Sequence, residues 1–321
     1  MANCPAGIAT DLRPKTGFQL FMVRLKRNWM LHLMMVLPMF YYFLFEALPI
    51  YGVQIAFREY RPRQGIFGSE WVGLSNFMEF FRYRNWGQIT WNTIAISLYQ
   101  IAAGFPIPII LALIIHINEN KVLKKFTQNL SYIPHFISVV VLVGIIDSIF
   151  SPLSGIVALV QNAMGIYSTT DIRTSEAAFR HLYVWSGIWA AMGWGAIMYV
   201  SALSGVSQEL HEAAKIDGAS RLRRVMCVDL PAIAPTIAIM LILRFSSVMS
   251  VGYQKVYLMQ HSLNLDVSEV ISTYTFKRGL GDNKLSYSSA VGLMNSAINT
   301  TLLITVNKIA NVLSDGEAGL F

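Results

Sequence analysis

Long apolar runs alternate with short polar stretches along this chain, and that rhythm sets its elements before any motif is read. Six runs stand out, at Met30–Phe57, Trp91–Ile117, Tyr132–Ser151, His181–Leu203, Thr236–Met259 and Ser289–Leu313. About 20 apolar residues rising 1.5 Å each cross the hydrocarbon of a bilayer, so runs of roughly 18 or more read as transmembrane helices. The expected fold is all-α, a polytopic transmembrane helical bundle of about six spans. It divides into a segment 1–29, a membrane domain 30–313 with a long polar loop at about 204–235, and a tail 314–321. The first run is long enough that its part beyond Pro49 should leave the bilayer.

The spans carry marks of helices that pack on protein. Gly187, Ala191 and Gly195 recur every fourth residue, and Gly292, Ser296 and Thr300 repeat the device. Such small-residue ridges let backbones approach closely. Pro106 and Pro108 each remove a backbone donor inside the second run and favour a kink there. Bent helices are tolerated only against protein or a water-filled cavity, so several spans should enclose something.

Composition agrees. Of the residues, 54% are hydrophobic and 13% charged, against about 25% charged in soluble domains. The net charge of +7 suits anionic lipid headgroups beside the spans and does not call for nucleic acid. Arg13, Lys15, Arg24, Lys26 and Arg27 precede the first run without the short apolar core of a signal peptide. Residues 18–29 could instead lie along the membrane surface as a basic amphipathic helix. Cys4 and Cys227 give neither a disulfide framework nor metal-type spacing, and the six histidines are scattered. Lys and Arg are shared almost equally between the two sides of a six-span chain, which leaves its orientation open.

Polar residues inside spans are costly and so are functional candidates. Arg244 lies a third of the way into the fifth run, with substrate or an interhelical partner such as Asp147 as its two possible uses. Lys255 lies near the outer end of that run, where it could face cargo or snorkel to the interface. Asn295 and Asn299, one turn apart, could line a polar path or fasten helices. Trp189 and Tyr253, with Trp185 and Tyr257, offer ring faces for sugars or act as interfacial anchors. Two basic residues on one cavity-facing span would favour anionic cargo electrostatically.

The loop between the fourth and fifth runs reads SGVSQELHEAAKIDGASRLRRVMCVDLPAIAPT, from Ser204 to Thr236. It should form a short helix, a turn at Gly218 and a second helix stopped near Pro231. Glu209, Glu212 and Lys215 fall on one side of the first helix, while Ala213 and Ala214 leave a smooth surface beside them. Gly218 can take the left-handed conformation that ends a helix. The result is a compact elbow suited to a groove in a partner protein.

Glu212-Ala213-Ala214, Gly218, Val228 and Leu230-Pro231 together resemble the EAA signature of ABC importer permeases, with Val228 where isoleucine is commoner. The similarity extends over about Leu33 to Asn311. VLPMFYYFLFEALPIYGVQIAFREYRPRQGIFGSEWVGLSNF, KKFTQNLSYIPHFISVVVL and SEVISTYTFKRGLGDNKLSYSSAVGLMNSAINTTLL look like segments of the polysaccharide and oligosaccharide permeases in the carbohydrate importer group. Lys255 departs from that pattern, in which an acidic or neutral polar residue is usual.

The resemblance implies that the elbow is a cytoplasmic coupling helix, with Glu212, Ala213, Ala214, Asp217, Gly218, Leu230 and Pro231 serving ATPase coupling. It implies both termini inside, in a bacterial cytoplasmic (inner) membrane. The implied partners are a second permease subunit, related but different, two ATP-binding subunits, and an extracytoplasmic solute-binding protein. ATP and Mg would sit on the ATP-binding subunits, for this chain has no G-x-x-x-x-G-K-[ST] loop. It is expected to bind no cofactor and to be no enzyme by itself. The cargo implied is an oligo- or polysaccharide, an acidic uronate-containing one such as alginate fitting the basic residues, with a neutral sugar as the alternative. The rival class is an ion-driven secondary transporter, although such proteins usually have more spans and internal pseudo-symmetry. A membrane scaffold would leave kinked, polar spans without a purpose.

Overall fold

The computed structural model describes residues 25–165 and 171–313. The expected tail 314–321 and most of the expected surface helix at 18–29 lie outside them. Backbone polar groups in lipid must be satisfied within the element, so apolar runs fold as helices. Among the described residues, five helices are long and apolar enough to cross a membrane, or six when one sharply bent pair is taken as a single span.

The described residues up to Gln54 form one compact unit. Helix α1, Trp29–Tyr42, runs on through a π turn at Phe43–Ala47 and a 3-10 stretch, Leu48–Phe57. Pro38 lies inside α1.

The second unit begins at Ile55. A two-stranded ribbon pairs β1 (Arg58–Glu59) with β2 (Glu70–Trp71), and helix α2 follows at Ser75–Arg82. Phe57 stacks on Trp71 at 5.6 Å. The second run is two helices, α3 (Trp86–Gly104) and α4 (Pro106–Ile117). They part at Phe105, where Pro106 supplies no N–H to continue the ladder.

The third run departs from expectation. Instead of one helix over Tyr132–Ser151, α5 covers Lys121–Tyr132, a 3-10 turn follows, and α6 covers Val139–Phe150. The two arms meet at 99°. Pro134 sits in the turn, and Ser138 starts α6 afresh by accepting from the Val141 amide at 3.3 Å. Helix α7, Ile156–Ala163, follows.

Helix α8, Glu176–Ser204, is the longest-range organiser. Its first half joins Phe179, Tyr183, Val184 and Ile188 to Ile96, Val256 and Val270. Its second half joins Ala196, Tyr199 and Leu203 to Ile109, Ala112 and Ile233. The predicted ridge is used: a Cβ on Gly195 would meet the Pro108 ring at 3.2 Å. The tightest approach, however, is off that ridge, at Gly193 against the carbonyl of Ser131. On the second ridge, no atom of the described residues lies within 4 Å of a Cβ on Gly292.

Beyond the elbow, α9 (Gln208–Ile216), come one helical turn at Arg221–Arg224, a π turn at Val225–Asp229, and α10, Leu230–Phe245. The run predicted to Met259 thus ends at Phe245. Residues 246–252 are irregular before α11 (Tyr253–Met259), α12 (Ile271–Phe276) and α13 (Leu285–Leu313).

Irregular backbone at such depth needs polar partners, and side chains supply them. Fully buried Asn92 donates to the carbonyls of Asp266 at 2.8 Å and Glu269 at 3.0 Å, and accepts from Arg180 Nη2 at 3.0 Å. Asn92→Leu leaves two carbonyls and a guanidinium nitrogen without these partners. It should cost about 2–3 kcal/mol, read as a lower midpoint of thermal unfolding in detergent. An unchanged midpoint would remove Asn92 from the framework.

Candidate functional site

The elbow is built by local rules. Ser207 opens α9 by accepting from the Glu209 amide at 3.2 Å. At the far end Gly218 adopts φ +73°. The Ala219 amide then reaches the Ala214 carbonyl at 2.9 Å, and the Gly218 amide reaches Lys215 at 3.0 Å. That pair of bonds is the Schellman closure, which a left-handed residue makes possible. Ser220 caps the next turn through the Arg223 amide at 3.3 Å.

Glu212, Ala213, Asp217 and Gly218 are exposed and Ala214 is half-buried. Leu230 is half-buried and Pro231 exposed, both opening α10. Apolar side chains share this surface, with Ile216 at 87% and Leu222 at 72% exposure.

A second feature lies between α3, α4, α8 and the end of α10. Gln100, Gly104, Tyr183, Gly187, Arg244 and Ser250 line a cavity of 220 Å³. Arg244 is exposed there, and its guanidinium has no ion pair or hydrogen bond among the described residues. Asp147, weighed as its partner from sequence, instead faces Arg173 at 3.6 Å. Arg173 also grips Asp171 through Nη2 at 2.7 Å and Nε at 2.9 Å. Those hydrogen bonds hold the Asp171 carboxyl below the ordinary carboxylate range and fix the chain where it enters α8.

Lys255 differs from Arg244. It lies on α11, beyond the fifth span, so the two bases do not share a helix. Its Nζ donates to the Tyr183 carbonyl at 2.7 Å and stands 4.6 Å from the centre of that residue's ring. Both contacts hold it to α8. Tyr253 stacks on Phe276 at 4.8 Å, and Trp189 is 42% exposed on α8.

Asn295 and Asn299 reach from α13 to the irregular stretch. Asn295 Nδ2 donates to the Met249 carbonyl at 2.9 Å. Asn299 accepts from the Met249 amide at 3.1 Å and donates to Ser250 Oγ at 2.7 Å. Of the two uses open from sequence, these contacts are those of fastening.

The fold also gathers residues that the sequence keeps apart. His116 at the end of α4, His211 on α9 and Asp229 on the π turn converge beneath the elbow. No spacing rule could have joined positions separated by 95 and 18 residues on three elements. The break after Phe245 leaves a local signal, since Ser246, Ser247, Ser250 and Gly252 crowd a stretch otherwise apolar, but hydropathy averaged over the run to Met259 passes across it.

A membrane-embedded helical body, a cavity among bent spans and a projecting elbow together define a transport permease. The chain belongs to the family described as binding-protein-dependent transport system inner membrane component, whose pattern it matches over residues 104–309. It is the multi-pass membrane permease of an ABC-type importer. It is 35% identical to the polygalacturonan/rhamnogalacturonan transport system permease protein YteP of Bacillus subtilis (strain 168), over 100% of this chain and 98% of that one. It is 36% identical to protein LplB of the same organism, over 94% of each. Among solved structures it resembles a chain of a bacterial alginate ABC transporter in complex with alginate pentasaccharide-bound periplasmic protein. There the TM-score is 0.82 at 29% identity, covering 92% of this chain and 98% of that one.

Proposed function

We propose that this permease carries acidic, uronate-containing oligosaccharides, and that it forms half of a pathway completed by a second, related permease subunit. Arg244 carries the reading on cargo. Its guanidinium makes no ion pair or hydrogen bond among the described residues, and it lines the cavity where several spans bend. A guanidinium favours carboxylate, which it can grip through two parallel hydrogen bonds. The relatives named for polygalacturonan and alginate support the same chemistry, since both polymers are built of uronates.

An extracytoplasmic solute-binding protein would deliver cargo. Two ATP-binding subunits, holding ATP and Mg, would lie beneath and receive α9, with Glu212 presented to a basic residue of their cleft. Both termini would then be cytoplasmic, on the elbow's side. ATP binding draws the paired elbows together, the attached spans rock the cavity outward, and hydrolysis resets it. The chain itself supplies the path and the joint.

Uptake into liposomes containing the whole importer and its solute-binding protein tests the cargo. Galacturonate oligomers should outcompete neutral galactose oligomers of equal length. Arg244→Gln should lower acidic uptake about 10- to 100-fold, the worth of a charged hydrogen bond of about 1.5–3 kcal/mol, while neutral uptake changes far less. An unchanged ratio of acidic to neutral uptake rejects uronate as the cargo.

A further inference from the structure

From the group of His116, His211 and Asp229 we infer that the root of the elbow is a binding site for a divalent transition-metal ion, Zn²⁺ by donor type. The site uses one side chain from each of three elements: the end of α4, the elbow helix α9, and the π turn that leads into α10. Asp229 is 2% exposed, and His116 and His211 are 22% and 17% exposed. A carboxylate so deeply buried requires a positive or donating partner.

Two imidazoles stand at ion-pair distance from its Oδ1, but neither makes a hydrogen bond to that oxygen. His211 Nε2 stands 3.3 Å from Asp229 Oδ1 and His116 Nε2 stands 3.5 Å from the same oxygen. Yet His211 Nε2 and Asp229 Oδ1, both buried, have no hydrogen-bond partner among the described residues. The distances fit a different arrangement. Donors about 2.0–2.1 Å from one zinc ion in tetrahedral geometry lie roughly 3.3–3.4 Å from each other. The three donor atoms all fall within 4.8 Å of one another, so a small rotation of one imidazole closes the set.

Charge and space agree with this assignment. Two neutral imidazoles and one carboxylate offer a single negative charge to a dication, a donor set suited to zinc. The group borders a cavity of 290 Å³, which leaves room for water at a fourth position. Lys215, Arg221 and Arg224 also border it and oppose a cation, but Arg221 is drawn towards Glu119 at 3.5 Å. The π turn is itself a signal. It inserts an extra residue into the helix start, and such bulges occur often at functional sites. An ion here would tie α9 to the second and fifth spans one residue before Glu212, at the root of the moving part.

Metal binding by the purified whole importer, stripped with chelator, tests the inference directly. Zn²⁺ calorimetry should show one ion per copy of this chain, and Co²⁺ should give the visible absorption of a tetrahedral centre. His116→Ala and His211→Ala should each weaken Zn²⁺ binding at least tenfold and abolish that absorption. His116→Cys restores a donor, so it should bind Co²⁺ with a new thiolate-to-cobalt band, and this settles the matter if the alanine variants fail to assemble. Absence of bound ion in the wild type overturns the inference. So does Zn²⁺ affinity unchanged in both alanine variants, or a cysteine variant that lacks the thiolate band.

Discussion

Gly193→Ala should yield almost no assembled permease, although it adds a single methyl group. The residue lies in α8 where that helix crosses the end of α5. A Cβ there would be driven into the Ser131 carbonyl and would stand 3.0 Å from the Tyr132 amide nitrogen. Both obstacles are backbone, so no side-chain rotation relieves the clash. The helices must separate along the contact that sets the bend of the third span. Overpacking commonly costs about 1–3 kcal/mol where side chains can yield, and here the cost should lie at or above the top of that range. Inside a bilayer, close van der Waals packing is itself a chief source of helix association, so separation forfeits neighbouring contacts too. Gly292→Ala is the matched control, because its Cβ would meet no atom of the described residues within 4 Å. Size-exclusion profiles of the two variants in detergent should differ sharply. Equal recovery of monodisperse complex from both would remove Gly193 from the packing core.

Both glycines belong to apolar helices of similar composition, and their different weight marks the limit of what sequence conveys. The spans themselves were legible because lipid imposes one rule on every residue that enters it, namely apolar side chains on a self-satisfied backbone. The first helix of the elbow and its turn were legible for a similar reason, whereas the second helix, expected to stop near Pro231, runs on to Phe245. The cap at Ser207 and the left-handed Gly218 are local devices whose partners lie within a few residues. Breaks inside the third and fifth runs were not, since hydropathy averages over a window and passes across a turn built from Pro134 or from Ser246 and Ser247. The uses of Asn295, Asn299 and Lys255 depended on which distant backbone they reach, at Met249 and Tyr183. The same holds for His116, His211 and Asp229, which only the tertiary fold gathers. Arg244 was conspicuous as a charge in an apolar run, but that its guanidinium makes no ion pair or hydrogen bond among the described residues could be learned only from the packing around it.

Gly218→Val should reduce ATP-driven uptake about tenfold while the protein inserts and folds as before. At φ +73° a side chain meets the following carbonyl, which costs roughly 1–2 kcal/mol, and a β-branched residue has the least freedom to evade it. The cheapest relief is to abandon the left-handed turn. Both closing bonds, Ala219 amide to Ala214 and Gly218 amide to Lys215, are then lost together, and α9 frays from the end that bears Asp217. No atom of the described residues lies within 4 Å of the added Cβ, so the spans and the cavity should be undisturbed. The loss therefore falls on the rigidity of the elbow, which in the proposed coupling would transmit force to the spans. Asparagine tolerates the left-handed conformation far better than valine, so Gly218→Asn should recover most of the uptake. Valine and asparagine variants that both transport like the wild type would show that the turn does not limit transmission. Variants that both fail equally would assign the defect to bulk on the surface and not to backbone geometry.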